Sequence, residues 1–320
     1  MASAMPVIQV LSKNNYQDQH IISLPNAFPL PALASASIRI KSTILPLTTN
    51  TFTYARLGHL LGWWDVHLLP PSIPAEFSDP KKFGRVSAWG YAEVLESNAS
   101  GIEEGTQLYG YLPIGTLPLD IEVKPNPKGP SQFFEVSKQR EKLWPVYNRY
   151  IFDPQNPKEV REKESLGWDV LMLILFQTGY MTNRYVLALE PSKLVYPSGD
   201  SKDGWTFQHG ALDDNSIIIG FAASGKTAIR LAYSLKHDRP AGKKPRTVVG
   251  VGSVSSKAFT EGTGLYDKVL TYDADSGGLG HQLGLKPDTK IVVSDFGARD
   301  GAADRWAAKL REHCTDVVQL

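Results

Sequence analysis

Residues 216–228 read Ser-Ile-Ile-Ile-Gly-Phe-Ala-Ala-Ser-Gly-Lys-Thr-Ala, and this stretch decides the fold of the C-terminal half. A short β-branched run ends at Gly220, small residues follow, and Gly225 opens a helix with periodic apolar positions. The pattern predicts a strand, a tight loop and a helix. The loop is predicted to bind phosphate, because the free N–H groups and the dipole of a helix N-terminus favour negative charge.

Two phosphate-binding patterns fit this loop. Gly220-x-x-x-x-Gly225-Lys226-Thr227 matches the phosphate loop of ATP- and GTP-hydrolysing proteins. Gly220-x-Ala222-x-x-Gly225 matches a dinucleotide fingerprint with alanine in the second glycine position. The chain has 320 residues, so little sequence follows the motif. Phosphate-loop proteins usually carry the motif on their first strand with ample chain after it, and the dinucleotide pattern is therefore favoured.

Around this motif, strands alternate with helices. Such alternation predicts a parallel, doubly wound sheet with right-handed crossovers. The predicted strands are 216–220, 246–251, 267–271, 290–295 and 316–320, and the predicted helices lie near 225–236, 254–263 and 300–313. One or two further helices are predicted over 168–189, with candidate buried positions at Leu171, Leu175, Tyr180, Tyr185 and Leu189.

The N-terminal half has a different pattern. Residues 1–165 contain short β-branched segments separated by Pro and Gly, which predicts a β-rich domain. Residues 115–135 are dominated by Pro, Lys and Asn, and they predict an exposed excursion.

Composition excludes several classes of function. A formal net charge of +1 gives no global field that would recruit nucleic acid or an anionic membrane. The N-terminus lacks a basic region and an apolar core, and no run approaches transmembrane length, so we expect a cytoplasmic protein. Cys314 is the only cysteine, which excludes an internal disulfide framework and a cysteine-rich zinc site.

The N-terminal half also carries a family resemblance. Gly84-Arg85-Val86, the segment 89–97 (Trp-Gly-Tyr-Ala-Glu-Val-Leu-Glu-Ser) and the segment 101–111 (Gly-Ile-Glu-Glu-Gly-Thr-Gln-Leu-Tyr-Gly-Tyr) follow one another. Their order resembles the substrate domain of the medium-chain dehydrogenase/reductase superfamily, whose pattern is a Gly-rich strand, an "E-V" strand, a turn and "G-D-x-V-x-G". Thr106 stands where that family usually has Asp.

The resemblance spans roughly residues 38–320. It is closest to the zinc-free, quinone-oxidoreductase-like members, and to an uncharacterised fungal and bacterial branch with an "S-S-K-T-A" loop. It places Asn50–Tyr54 in the first cleft-lining loop and Leu175–Tyr180 on the helix before the nucleotide strand. It implies an α/β protein with a GroES-like β-rich substrate domain at 1–168 and a Rossmann dinucleotide-binding domain at 169–320.

The resemblance also bears on the C-terminus and on assembly. The family normally continues with another strand after the one that ends this chain, so we expect a C-terminally shortened Rossmann domain. That further strand often mediates dimerisation in relatives, and the expected state is therefore a monomer or a homodimer.

Cofactor-binding residues are expected at the glycine loop and at the ends of neighbouring strands. The second strand ends without the Asp or Glu that NAD enzymes place there, while hydroxyls and a positive charge suit a ribose 2′-phosphate. NADP(H) is therefore the expected cofactor. The predicted contacts are Gly220, Ala222, Ser224, Gly225, Lys226, Thr227, Ser253, Ser255, Lys257 and Tyr272. Two alternatives stay open, because Ser253 or Ser255 would also serve as a plain helix N-cap and Lys226 as a solvated helix residue.

On the substrate side, the candidate catalytic residues are Tyr54, Thr178 and Tyr180. A tyrosine hydroxyl near a nicotinamide would donate a proton to a carbonyl or enolate oxygen. The alternative is that Tyr54 has no catalytic role and is a half-buried aromatic side chain on a strand. No metal is expected, because His59 and His67 lack a third soft ligand nearby.

The leading functional prediction is zinc-independent, NADPH-dependent reduction of a conjugated or carbonyl-containing small molecule. The fungal relatives associate it with secondary metabolism. A second hypothesis keeps the fold with a weak or vacant cofactor site and a redox-neutral reaction, as in a cyclase, lyase or isomerase. A third is a nucleotide hydrolase using Lys226, Thr227 and Asp295, and a fourth is a non-catalytic binding protein.

Overall fold

The structure is a computed structural model that describes residues 5–153, 155, 158, 161–276 and 278–320. The chain divides into two units, Met1–Leu171 and Met172–Leu320. The predicted domain boundary after residue 168 lies within the helix Lys163–Met181, which crosses the division.

Short alternating segments build the first unit. The strands are β1 (Val7–Ser12), β2 (Gln19–Ser23), β3 (Ser37–Ile44), β4 (Phe83–Gly84), β5 (Ser87–Ser97), β6 (Gln107–Pro113), β7 (Leu119–Pro125), β8 (Gln132–Glu135) and β9 (Arg149–Ile151), and the helices are α1 (Thr49–Arg56), α2 (Gly58–Leu61) and α3 (Pro145–Asn148). Six strands close into an antiparallel barrel in the order β3-β5-β6-β9-β8-β7, and three others form a small sheet in the order β2-β1-β4.

The prediction of an exposed excursion at 115–135 is wrong. Strands β7 and β8 lie there, and Ile121, Val123 and Phe133 are buried in the barrel core. The Pro, Lys and Asn residues concentrate around the turn between the two strands, whereas residues 119–123 alternate apolar and polar side chains with the period of a strand.

The segment predicted as a cleft-lining loop, Asn50–Tyr54, belongs to helix α1. Thr48 starts the helix with a capping box: its hydroxyl accepts from the Asn50 N–H, and its own N–H donates to the Thr51 hydroxyl. These threonines are weak helix formers in general, but here they satisfy the orphan N–H groups of the first turn.

In the second unit the predicted alternation is confirmed. The strands are β10 (Ser216–Phe221), β11 (Thr247–Gly252), β12 (Lys268–Thr271), β13 (Lys290–Asp295) and β14 (Asp316–Gln319), and the helices are α4 (Lys163–Met181, continued by a π-helical turn Thr182–Val186), α5 (Phe207–Gly210), α6 (Lys226–His237), α7 (Val254–Gly262), α8 (Leu279–Leu283) and α9 (Ala302–Arg311). The five parallel strands form a sheet in the order β12-β11-β10-β13-β14, with helices between them in sequence.

Numbered in chain order within the sheet, these strands run 3-2-1-4-5, which is the Rossmann order. Strand β10 lies between β11 and β13, so the chain reverses its direction of progress across the sheet at β10. Buried Ile, Val and Phe side chains of β10, β11 and β13 fill both faces of the sheet, as expected for parallel strands covered by helices.

The expected buried positions on α4 are only partly right. Leu171 and Tyr180 are exposed, while Leu175, Tyr185 and Leu189 are half-buried. The reason is that α4 is apolar around most of its circumference, so periodicity could not identify one buried face. None of the helices within the described residues combines the length and the apolar character needed to cross a membrane.

Candidate functional site

The loop between β10 and α6 is a tight turn that leaves a helix N-terminus open. The Gly225 N–H donates to the Ala222 carbonyl at 2.7 Å, and the Ala223 N–H donates to the Val251 carbonyl on the neighbouring strand at 3.1 Å. Gly225 is the N-cap of α6, and no side chain caps this end. The first backbone N–H groups of α6 therefore lack a side-chain acceptor and point where an anion would bind.

The two glycines of this loop differ in how much room a side chain would have. A Cβ at Gly225 would come within 2.9 Å of the Ala222 carbonyl oxygen, whereas a Cβ at Gly220 would meet nothing closer than the Val249 carbonyl oxygen at 3.9 Å. Ala222 itself adopts φ +53°, a left-handed conformation that favours glycine. Ala222 thus adopts a backbone conformation that suits the second glycine of the dinucleotide fingerprint, although the residue there is alanine.

Two tyrosines contact the loop. The Tyr266 hydroxyl donates to the Ala223 carbonyl at 2.8 Å, and the Tyr272 ring lies parallel to the Phe221 ring, 6.2 Å away. Burial raises the pKa of Tyr272, and the positive charge of Arg299 opposes this rise. Sequence reasoning selected Tyr272 from its place at the end of a strand but missed Tyr266, which lies before β12 without any motif.

The end of β11 presents hydroxyl groups and no carboxylate. Ser253 is the N-cap of α7 and accepts from the Ser256 N–H at 3.3 Å, which is the capping alternative foreseen from the sequence. Its hydroxyl also lies 3.0 Å from that of Ser255. Lys257 is exposed and its ammonium lies 3.8 Å from the Glu261 carboxylate, one turn along the same helix.

The acid at the end of β13 shapes its own turn. Asp295 pairs in register with Phe221 of β10, so it lies at the edge of the sheet where the glycine loop begins. Its carboxylate accepts from the N–H groups of Gly297 and Ala298 at 2.8 and 2.6 Å. The Rossmann order of the sheet agrees with the dinucleotide pattern of the loop.

In the first unit, Tyr54 is on helix α1 and is only 6% exposed, so the alternative of a half-buried strand aromatic is wrong. Its hydroxyl oxygen accepts from Trp89 Nε1 at 2.7 Å and from Asn50 Nδ2 at 3.0 Å. Its ring packs edge-on against Trp63 and Tyr111, with centroids 4.7 and 4.9 Å apart. Burial raises the pKa of Tyr54, and the donated hydrogen bonds oppose the rise.

Thr178 and Tyr180 lie two positions apart on α4 and therefore on different sides of the helix. The Thr178 hydroxyl donates to the Ile174 carbonyl of its own helix at 3.0 Å. Tyr180 is exposed, and the Arg230 guanidinium lies over its ring at 5.5 Å. The structure does not bring these two side chains together.

A buried charge network in the barrel unit was not foreseen from the sequence. The Arg140 and Glu135 side chains form an ion pair at 3.0 Å away from solvent, and the Tyr150 hydroxyl donates to the same carboxylate at 3.0 Å. Arg140 Nη2 lies 3.2 Å from His67 Nε2. Burial lowers the pKa of His67 well below its ordinary value, and the charges of Arg140 and Arg85 lower it further.

Within the described ranges, no group of three or more His, Cys, Asp and Glu side chains is placed to hold a metal ion. His67 faces Arg140, and His59 lies on the surface beside Trp64 with ring centroids 6.2 Å apart.

Comparison with solved structures identifies the fold. CurA from Vibrio vulnificus matches with a TM-score of 0.52 and 12% identity over 95% of this chain and 68% of that one. The JamJ enoyl reductase, in its apo form, matches with a TM-score of 0.52 and 11% identity over 99% of this chain and 81% of that one. The architecture is a GroES-like barrel with a Rossmann-like parallel sheet, so the fold prediction is confirmed.

Comparison by sequence gives the family. A search against curated proteins returned no match. The family model "Protein of unknown function (DUF2855)" matches residues 45–320, which covers most of both units. On that match, the chain belongs to the DUF2855 family of proteins of unknown function.

Proposed function

We propose that the protein is a reductase that uses NADPH, without a metal, to reduce a conjugated or carbonyl-containing small molecule. The observation that carries the proposal is the open N-terminus of α6, which follows the tight Ala222–Gly225 turn at the point where the Rossmann sheet changes direction. In open α/β sheets, ligands bind at such a switch point beyond the carboxyl ends of the strands.

The residues at this edge fit a dinucleotide phosphate. The uncapped N–H groups of α6 would hold the pyrophosphate, with Ser224, Lys226 and Thr227 beside them, all partly exposed. Ser253 and Ser255 supply hydroxyls after β11, where an acid that would repel a 2′-phosphate is missing. When bound, NADPH supplies the hydride for the reaction.

Tyr54 is the residue that we propose as proton donor. Its oxygen accepts from Trp89 and Asn50, so both neighbours are donors and neither takes the phenolic proton. Because burial raises its pKa, the hydroxyl stays protonated at neutral pH. A substrate oxygen that gains negative charge during reduction would accept this proton.

The fold adds a starting point for the substrate search. JamJ is named an enoyl reductase, and at 11% identity it shares the fold alone with this chain. We therefore propose double bonds conjugated to a carbonyl as the first substrates to test. The proposal further places the protein in the cytosol, acting as a monomer or homodimer on a free small molecule.

One observation favours a second candidate, a redox-neutral enzyme with a weak cofactor site. Ala222 carries a methyl group where the dinucleotide fingerprint has glycine. This methyl group would keep a pyrophosphate farther from the loop backbone than glycine would. In that case the same fold would catalyse a cyclisation, elimination or isomerisation.

Titration of the purified protein with NADPH, NADH and Mg·ATP, followed by calorimetry, tests the proposal. We expect NADPH to bind most tightly. Gly225→Ala should weaken NADPH by at least about tenfold, or about 1.4 kcal/mol, because its Cβ would approach the Ala222 oxygen to 2.9 Å. The control is Gly262→Ala, at the end of α7 and outside the loop, whose Cβ would meet nothing within 4 Å and which should bind NADPH like the wild type.

Cofactor choice gives a further readout. Lys257→Glu should shift the preference from NADPH towards NADH, because it replaces a positive charge near the expected 2′-phosphate position by a negative one. A folded wild-type protein that binds neither dinucleotide would contradict the reductase and leave the redox-neutral candidate. Tighter binding of Mg·ATP than of NADPH would favour the hydrolase.

A further inference from the structure

The first unit contains a cavity that none of the candidate cofactor residues lines. It has a volume of ≈ 310 Å³ and lies between α2, the turn that follows it, and the segment that leads into α3. Ligand pockets span about 300–1,000 Å³, so this one suits a molecule of one or two rings. The lining residues that matter here are His59, Leu60, Trp63, Lys142, Trp144 and Tyr147.

Aromatic rings form the walls. The rings of Trp63 and Tyr147 meet at 70° with centroids 5.5 Å apart, and Trp144 lies 6.5 Å from Tyr147 at 31°. Trp63 is buried, whereas Trp144 is 61% exposed and Leu60 at the rim is 80% exposed. Large apolar side chains left open beside an aromatic wall indicate a surface that binds flat apolar groups.

The charge of the cavity lining favours an anion. Lys142 is a cation of this lining, and none of the described lining residues is acidic. Burial raises the pKa of the Tyr147 hydroxyl, so this lining group stays uncharged at neutral pH. The lining therefore favours a negatively charged ligand over a positively charged one.

We propose that this cavity binds a flat, aromatic or conjugated small molecule that carries a carboxylate or a phenolate. The ring system lies against Trp144 and Tyr147, and the negative oxygen meets Lys142 at the mouth. Cation and aromatic contacts of this kind recognise the charge and the planarity of a ligand together.

The cavity also adjoins the candidate proton donor. Trp63 and Tyr147 both pack edge-on against the Tyr54 ring, with centroids 4.7 and 6.1 Å away. A bound ring therefore lies one aromatic layer from Tyr54. As a statement about the substrate class, this inference rests on the proposed reductase, but as a statement about binding it does not need the dinucleotide.

Calorimetry with naphthoate as the probe tests the cavity. Its comparators are naphthylmethanol, which is flat and neutral, and cyclohexanecarboxylate, which is charged and not flat. We expect naphthoate to bind at least about tenfold more tightly than either, which corresponds to about 1.4 kcal/mol. Equal binding of all three compounds, or no binding of naphthoate, would overturn the proposal.

Matched variants localise the site. Lys142→Gln should weaken naphthoate about fivefold and Trp144→Ala about tenfold, and both residues are exposed enough to leave folding intact. The controls are Lys138→Gln and Trp168→Ala, which remove the same groups from exposed positions outside the cavity. If the controls weaken binding as much as the cavity variants, the site is elsewhere.

The same preparations separate this proposal from the reductase. Normal NADPH binding without naphthoate binding would remove the cavity proposal and leave the cofactor site. Naphthoate binding that responds to Lys142 and Trp144, in a protein that does not bind NADPH, would keep the cavity and remove the reductase.

Discussion

The indole N–H of Trp89 donates to the Tyr54 hydroxyl at 2.7 Å inside the barrel unit. Trp89 is on β5 and Tyr54 on α1, so this bond joins the helix to the barrel wall. It fixes the direction of the phenol and occupies a lone pair of its oxygen, which leaves the phenolic proton to another acceptor.

Tyr54→Phe should destabilise the protein by about 1–3 kcal/mol, because the buried Trp89 N–H would lose its acceptor. Urea unfolding measures this cost. In a double-mutant cycle, Trp89→Phe should cost clearly less in the Tyr54→Phe background than in the wild type. Tyr233→Phe, at an exposed tyrosine, is the control and should have little effect. Additive costs for Tyr54 and Trp89 would contradict the coupling.

Ala222→Gly should raise the free energy of unfolding by about 0.5–1 kcal/mol. The substitution relieves about 1–2 kcal/mol of left-handed strain at φ +53°, and the greater freedom of glycine in the unfolded chain offsets part of this gain. Ala223→Gly is the control, since Ala223 is buried without a positive φ, and it should be destabilising. A loss of stability in Ala222→Gly as large as in Ala223→Gly would refute the strain.

The buried His67 should make stability fall in mild acid. Burial, and then the charges of Arg140 and Arg85, hold its pKa well below the ordinary 6.5. Between the folded pKa and 6.5, only the unfolded chain takes up the proton. The contribution of His67 to the free energy of unfolding is therefore fully present above about pH 6.5. It is lost as the pH falls below this value, by up to about 1.4 kcal/mol per pH unit.

Urea unfolding at about pH 7.5 and about pH 5.5 measures this slope. His67→Gln keeps an acceptor for Arg140 and should show a shallower loss, whereas His59→Gln, at an exposed histidine, should keep the wild-type slope. The raised pKa of Glu135, caused by burial and opposed by Arg140, favours the folded state as the pH falls and so acts in the opposite direction. A His67→Gln slope identical to the wild type would remove His67 from the explanation.

The two buried arginines should respond in opposite ways to removal of their charge. Arg140→Met leaves the Glu135 carboxyl buried without its ion-pair partner and should cost about 3–5 kcal/mol. Arg85 is buried, and its Nε and Nη2 have no hydrogen-bond partner among the described residues. Burial lowers its pKa to about 10.

Arg85→Met should therefore be neutral or stabilising by up to about 1–2 kcal/mol, since an apolar side chain avoids the cost of a buried unpaired charge. Chemical denaturation of both variants at one pH provides the comparison. Equal destabilisation by the two substitutions would mean that Arg85 has a compensating partner.

Sequence patterns predicted the second unit well because each of its strands is a short apolar run separated from the next by an amphipathic helix. The helix predicted at 225–236 is Lys226–His237, and the strand predicted at 290–295 has the same bounds in the structure. The order of these elements leaves few topologies once right-handed crossovers are assumed.

The first unit was harder to predict, since its contacts join residues far apart in sequence. The alternation in Leu119–Pro125 is that of a strand, but the Pro and Lys residues around it indicated a loop. Half of the residues of helix α1 are Thr or Asn, and only the capping interactions of Thr48 explain its start. The Glu135–Arg140 pair and the wall formed by Trp63 and Tyr147 arise from barrel closure, which no local pattern encodes.

Cys314 is the only cysteine of the chain, and it is buried with its thiol donating to the Lys286 carbonyl at 3.2 Å. Burial raises its pKa, so the thiolate that reacts with electrophiles is scarce at neutral pH. A cysteine introduced at an exposed position would therefore react with a maleimide dye much faster than Cys314 does. Single-site fluorescence and spin labelling should thus be feasible without first replacing Cys314.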